Sequence, residues 1–243
     1  MTTAAGAELT RQHQAAQVRN AAAAAAASRA AWALLDVDAL DDTAQWLALQ
    51  LQVMGYFHGL SAQLASGYLQ AFKRAETGGS LTVVRGERPP DEQVMTSLAV
   101  TGPATVKRHI GRGMPPSAAM RRGFRRMTGA LARHVQSGGR QTIERTTESD
   151  PDALGWRRVT DGDPCAFCAL VASRGPVYGS RADAGDFPGR QYHDACGCTA
   201  EPSYGDWEPD EATLRYERIY NESAVSGHYR ATLANMRKRM NTN

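Results

Sequence analysis

The sequence predicts a mainly α N-terminal region joined to a small, loop-rich α+β C-terminal domain. Three observations carry this. Alanine-rich text with helical periodicity fills the first 149 residues, Pro, Gly, Asp, Cys and aromatic residues replace it beyond Ser149, and helical spacing returns after Asp210. The expected organisation is therefore a helical region over 1–149, a cysteine- and histidine-bearing domain over 150–209 and a C-terminal helix over 210–243.

The first helix is expected from about Ala4 to Leu35. It includes the run Ala21 to Ala27, and alanine enters a helix without losing side-chain entropy. Such a helix either packs closely on a neighbour, docks on a partner or lies on the surface. Asp41 to Glu76 reads as a second helix. Leu47, Leu51, Met54, Phe57, Leu60, Leu64, Tyr68 and Phe72 recur at steps of three and four, and Gly78-Gly79 ends it. Met54, Tyr56 and Phe57 beside His58 read as core rather than a cofactor box, and His58 as a satisfied or exposed histidine. Leu81 to Arg85 is a short strand or an extended connection. Asp91 caps a helix reaching about Ser97, another covers Ala104 to Ile110, and Ser117 caps one running towards Val135. Gln136 to Asp152, with Gly138-Gly139, reads as a helix end or linker. In the C-terminal helix, Tyr229, Leu233, Met236 and Met240 form the stripe.

Composition excludes several classes. Hydrophobic residues make up 42% and charged residues 22%, which is ordinary globular usage. Mean hydropathy is −0.45, and no stretch approaches the roughly 20 apolar residues of a membrane span. Met1 to Asn20 lacks the basic region and apolar core of a secretory signal. The net charge of +3 is mild, yet its distribution is not. Between Ala104 and Arg145 ten Lys or Arg residues face Glu144 alone. Arg121, Arg122, Arg125 and Arg126 stand at helical spacing as a basic edge. That edge can be a solvated face, a contact for an acidic protein or a contact for nucleic acid phosphates.

All four cysteines fall between Cys165 and Cys198. In Asp163-Pro164-Cys165-Ala166-Phe167-Cys168, Asp163 suits an N-cap and Pro164 a first helical position. That puts Cys165 and Cys168 on one face of a helical first turn, where the helix dipole favours thiolate. A gap of 27 residues separates Cys168 from Cys196, which lies in Tyr192-His193-Asp194-Ala195-Cys196-Gly197-Cys198. Cys196 and Cys198 can point the same way, and Gly197 permits tight curvature. Tetrahedral zinc needs four of the five donors Cys165, Cys168, His193, Cys196 and Cys198: four cysteines, or three with the histidine. The reading is a structural Zn2+ stapling a domain too small for a large core. A thiol-redox pair, or cysteines without a metal, are the alternatives. No G-x-S-x-G elbow, H-E-x-x-H helix, P-loop or dinucleotide fingerprint is present.

The stretch from Asp163-Pro-Cys-Ala-Phe-Cys168 through Ser173-Arg-Gly-Pro-Val-Tyr178 to Tyr192-His-Asp-Ala-Cys-Gly-Cys198 resembles the phage head-morphogenesis family typified by the MuF minor head protein. The versions in tailed phages of actinobacteria are nearest, and the resemblance covers about Trp156 to Pro202. It implies a minor capsid protein of virion assembly that contacts portal, scaffold or major capsid protein, with packaged DNA nearby. Its place would be the host bacterial cytoplasm during assembly and then the virion. By matching positions, Cys165, Cys168, His193, Cys196 and Cys198 take the family's metal site. Many such relatives are labelled capsid maturation proteases, which implies cleavage of scaffold or major capsid protein as the alternative activity. No nucleophile is carried over by position.

Overall fold

The computed structural model describes residues 2–177 and 192–242; Tyr178, which closes the second motif stretch, lies outside them. Three long helices dominate: α1 (Ala4–Trp32), α2 (Ala44–Thr77) and α5 (Pro116–Ser149), with the short α3 (Asp91–Thr101) and α4 (Pro103–Ile110) between the last two. An antiparallel pair follows, β1 (Ala153–Val159) and β2 (Thr199–Tyr204), in a register that sets Arg157 opposite Glu201. Helix α6 (Ala166–Ala172) lies between the strands in sequence, and α7 (Glu211–Ser223) and α8 (Tyr229–Met240) close the chain. The C-terminal segment is thus two helices rather than one.

Helix α1 packs closely on α2 and α5 because its inward residues are small or make specific hydrogen bonds. Ala21, Ala24 and Ser28 let the backbones approach, while Gln17 and Ser61 exchange two hydrogen bonds of 2.9 and 2.6 Å. On α2 the buried face is turned from the all-apolar stripe the spacing suggests. Leu64 is exposed, and polar Gln50, His58 and Ser61 are buried beside Met54 and Phe72. Polar partners on α1 and α5 account for the turn. Asp41 and Asp42 precede α2, which starts at Ala44, and Asp41 pairs with Lys107 at 2.6 Å.

The largest correction concerns α5. It starts at Pro116 behind an N-cap Pro115, not Ser117, and it does not stop near Val135 but continues through Gly138-Gly139 to Ser149. Glycine costs about 1 kcal/mol against alanine in a helix, yet here its missing side chain lets α2 cross. A Cβ on Gly138 would collide with the His58 carbonyl oxygen, and one on Gly139 with Gln17 Nε2. Residues 80–90 form an extended connection rather than a strand; Val84 and Gly86 donate their backbone N–H groups to Thr146 and Thr142 of α5, each at 2.9 Å.

The sheet shares its core with the helices. Trp156, Val171 and Ala200 pack with Tyr68, Leu69, Phe72 and Ile143. A separate cluster joins Leu170 of α6 to Tyr216 of α7 and to Leu233 and Met236 of α8. Lys73, 1% exposed, anchors the α5–β1 turn through Asp150 and Asp152 at 3.0 and 2.8 Å.

Candidate metal centre

The first thiol pair sits at the start of α6, which begins two residues later than expected. Cys165 itself is the N-cap, and its Sγ accepts the Cys168 backbone N–H at 3.5 Å, while Asp163 and Pro164 lie ahead of the helix. The second pair arrives from the turn before β2. Ala195 enters it at φ +59°, a left-handed conformation costly for a residue with a Cβ, and its N–H donates to the Gly129 carbonyl of α5 at 3.1 Å.

The two pairs converge. Cys165, Cys168 and His193 form one triad of donor atoms within 4.8 Å of one another, and Cys168, Cys196 and Cys198 form a second. Cys168 is common to both. Its Sγ lies 3.6 Å from Cys196 Sγ and 3.8 Å from His193 Nε2, and Cys165 Sγ lies 3.0 Å from the same nitrogen. A tetrahedron of 2.3 Å metal–sulfur bonds has edges of about 3.8 Å, so these separations suit ligands around one ion. All four cysteines are free thiols. Cys168, Cys196 and Cys198 are buried, Cys165 is half-buried, and His193 caps the cluster from the solvent side. His193 Nδ1 donates to the Asp194 carbonyl at 2.7 Å, which turns Nε2 towards the thiols, the orientation a ligating histidine needs.

The surroundings are cationic. Arg158 of β1, 1% exposed, places Nη1 3.7 Å from Cys168 Sγ. Arg140 of α5, 4% exposed, donates to the carbonyls of Cys196 at 2.6 Å and Cys198 at 2.9 Å. Both guanidinium groups stack on Tyr192, at 3.9 and 3.8 Å from its ring centroid. Burial works against the charge of Arg158, but Tyr192 and the thiols beside it more than offset this and raise its pKa. Hydrogen bonds from Cys168 and then His193 bring Cys165 down to about 4, and contacts with Cys168 and Cys198 lower Cys196 as well. The same network raises Cys168, through its hydrogen bonds to Cys165 and Cys196, and also raises Cys198, so two of the four thiols favour thiolate, the metal-binding form.

Gly197 has a different role from the one its spacing suggests. Its N–H donates to Asp161 Oδ2 at 3.2 Å, and a Cβ there would collide with that oxygen, so close approach rather than curvature requires glycine. Arg140, Arg158, Tyr192 and Asp161 were not singled out from sequence. Arg158 was readable, because Trp156 and Arg158 are two apart on one strand and share a face. Arg140 was counted within the basic band but points inward, and Arg133 pairs with Asp194 at 2.7 Å. Arg121, Arg122, Arg125 and Arg126 all lie exposed on the N-terminal half of α5.

The model of the VG15 protein family matches residues 1–238. This chain belongs to the VG15 family. Among its relatives, the Gene 15 protein of Mycobacterium phage D29 is 32% identical over 107 residues, which cover 41% of this VG15 chain and 37% of that protein. No solved structure matches. No helix among the described residues of the VG15 chain is long and apolar enough to cross a membrane.

Proposed function

We propose that this VG15 chain is a minor capsid protein of phage head morphogenesis, with a structural zinc ion in its C-terminal part. The observation that carries the zinc reading is the pair of donor triads sharing Cys168. Thiolates and imidazole select zinc over magnesium or calcium, and buried Arg140 and Arg158 balance the charge of the thiolates. Four of the five donors would close a tetrahedron, as four cysteines or as three cysteines with His193. In neither is a position left open for substrate, so the ion's role is to hold the turn of His193 to Cys198 against α6.

The assembly reading rests on the phage family and on the MuF-like stretch, whose cysteines and histidine are the residues that converge. In it, residues 1–149 present the surfaces that meet portal, scaffold or major capsid protein, residues 150–209 are the zinc-held part, and residues 210–243 buttress α6. The protein would act in the host cytoplasm during assembly and remain in the virion. Co-expression with portal, scaffold and major capsid protein tests this. The expected result is retention of the chain in sedimenting heads or in a complex with one of the three. A chain that stays at the top of the gradient, binding none of them, would overturn it.

A further inference from the structure

The basic edge of α5 is wider than its four arginines. Arg108 of α4 and Arg112 of the turn after it are also exposed, and α4 packs on α5, with Val106 against Gly123 beside Arg122. His109, partly buried among them, marks the junction. Its pKa is lowered by desolvation first and then by Arg122, Arg112, Arg108 and Arg126. Among the described residues no carboxylate comes within ion-pair distance of any of the six; Lys107 nearby is excluded because it already pairs with Asp41.

Two features decide what this surface suits. The cations are all guanidinium groups, which match phosphate oxygens in a two-pronged way that lysine does not. The surface also lacks the apolar anchor of a protein interface. The exposed large hydrophobic residues include Val18, Leu34, Tyr56, Leu64 and Val100, but none lies on α4, on the turn after it or on α5. Protein interfaces centre on apolar and aromatic groups with few charges. Nor is an aromatic face free for bases to stack on, since Phe124 is covered by Arg29 at 5.0 Å and packs on Trp32.

We infer that Arg108, Arg112, Arg121, Arg122, Arg125 and Arg126 form a sequence-independent docking surface for the phosphate backbone of duplex DNA. This goes beyond the assembly reading and needs only the purified chain, so failure of either leaves the other standing.

The test is fluorescence anisotropy with a mixed-sequence duplex, a single strand of equal length and polyglutamate, from about 50 to about 200 mM salt. The duplex should bind best, and its affinity should fall about a thousandfold across that range if six phosphates are met. The R121Q/R122Q/R125Q/R126Q variant should flatten the log–log salt slope by about 3 to 4, and R108Q/R112Q by about 2. Both variants change exposed groups, so circular dichroism and melting should match the parent. No duplex binding at the lowest salt, or slopes unchanged in both folded variants, would overturn the inference. Polyglutamate binding as tight as duplex binding would also overturn it, in favour of an acidic protein partner.

Discussion

Arg158 and Cys168 meet at 3.7 Å in the interior of the protein, a buried guanidinium against a buried sulfur, and neither is the partner the other would have in an ordinary core. Metal-bound thiolates would set negative charge against this guanidinium, which suits the contact.

Arg158→Leu should therefore cost metal affinity before it costs the fold. Removing a neighbour that supports the ligands typically lowers affinity about 10- to 100-fold. A competition titration against a chromogenic chelator reads this directly, and Arg158→Lys should recover part of the loss. Unchanged affinity in Arg158→Leu would mean that the cation does not serve the cluster.

The crossing of α2 and α5 gives a paired stability prediction. Gly138→Ala drives a methyl into the His58 carbonyl and should destabilise by about 1–3 kcal/mol. Gly129 lies on the same helix, but its added methyl would meet only ordinary contacts of 3.6 Å with Ala195 and Asp194. Gly129→Ala should gain about 0.5–1 kcal/mol from helix propensity. Urea denaturation of the two variants checks the opposite signs.

His13 should make stability depend on pH. It is 5% exposed, stacks on Tyr68 at 4.5 Å, and neither ring nitrogen has a hydrogen-bond partner among the described residues. Desolvation holds its pKa at about 4 in the folded protein. The unfolded chain takes up the proton first, near pH 6.5, so the contribution of neutral His13 is complete above that value and is lost as pH falls towards about 4. The full window is worth roughly 3 kcal/mol. His134 is depressed to about 4 as well, by desolvation and then Arg133, and adds in the same direction. His13→Phe keeps the stack and removes the proton site, so its urea midpoint should fall less between pH 7.5 and 5 than that of the parent. Equal falls would contradict the assignment.

How far the sequence revealed all this differed by element. The thiol spacing brought out four cysteines and His193, because ligands cluster in the chain as they do in space. The helices were legible wherever apolar residues kept their period. The course of α5 through Gly138-Gly139 was not, since the glycines break propensity for the sake of a crossing with Ser61 and His58, some 78 residues upstream. Arg140 was hidden for the same reason. A charge run is read as an outer face until something distant, here the carbonyls of Cys196 and Cys198, draws one member inward.

Metal removal should act locally. Trp156 and Ala200 lean on Tyr68, Phe72 and Ile143, so the sheet has support apart from the cluster. Hydrogen exchange after chelation should show lost protection at residues 161–169 and 193–198, with β1 and the three long helices largely retained. Protection unchanged throughout would mean that no ion holds these segments.

The direct measurement is zinc analysis with X-ray absorption at the metal edge on protein purified without added metal. One zinc per chain, with four ligands including three or four sulfurs at about 2.3 Å, is the expected result, and the sulfur count decides whether His193 or a fourth cysteine completes the shell. A chain free of metal whose four thiols all titrate with a thiol reagent, and which takes up no zinc when it is offered, would contradict the account.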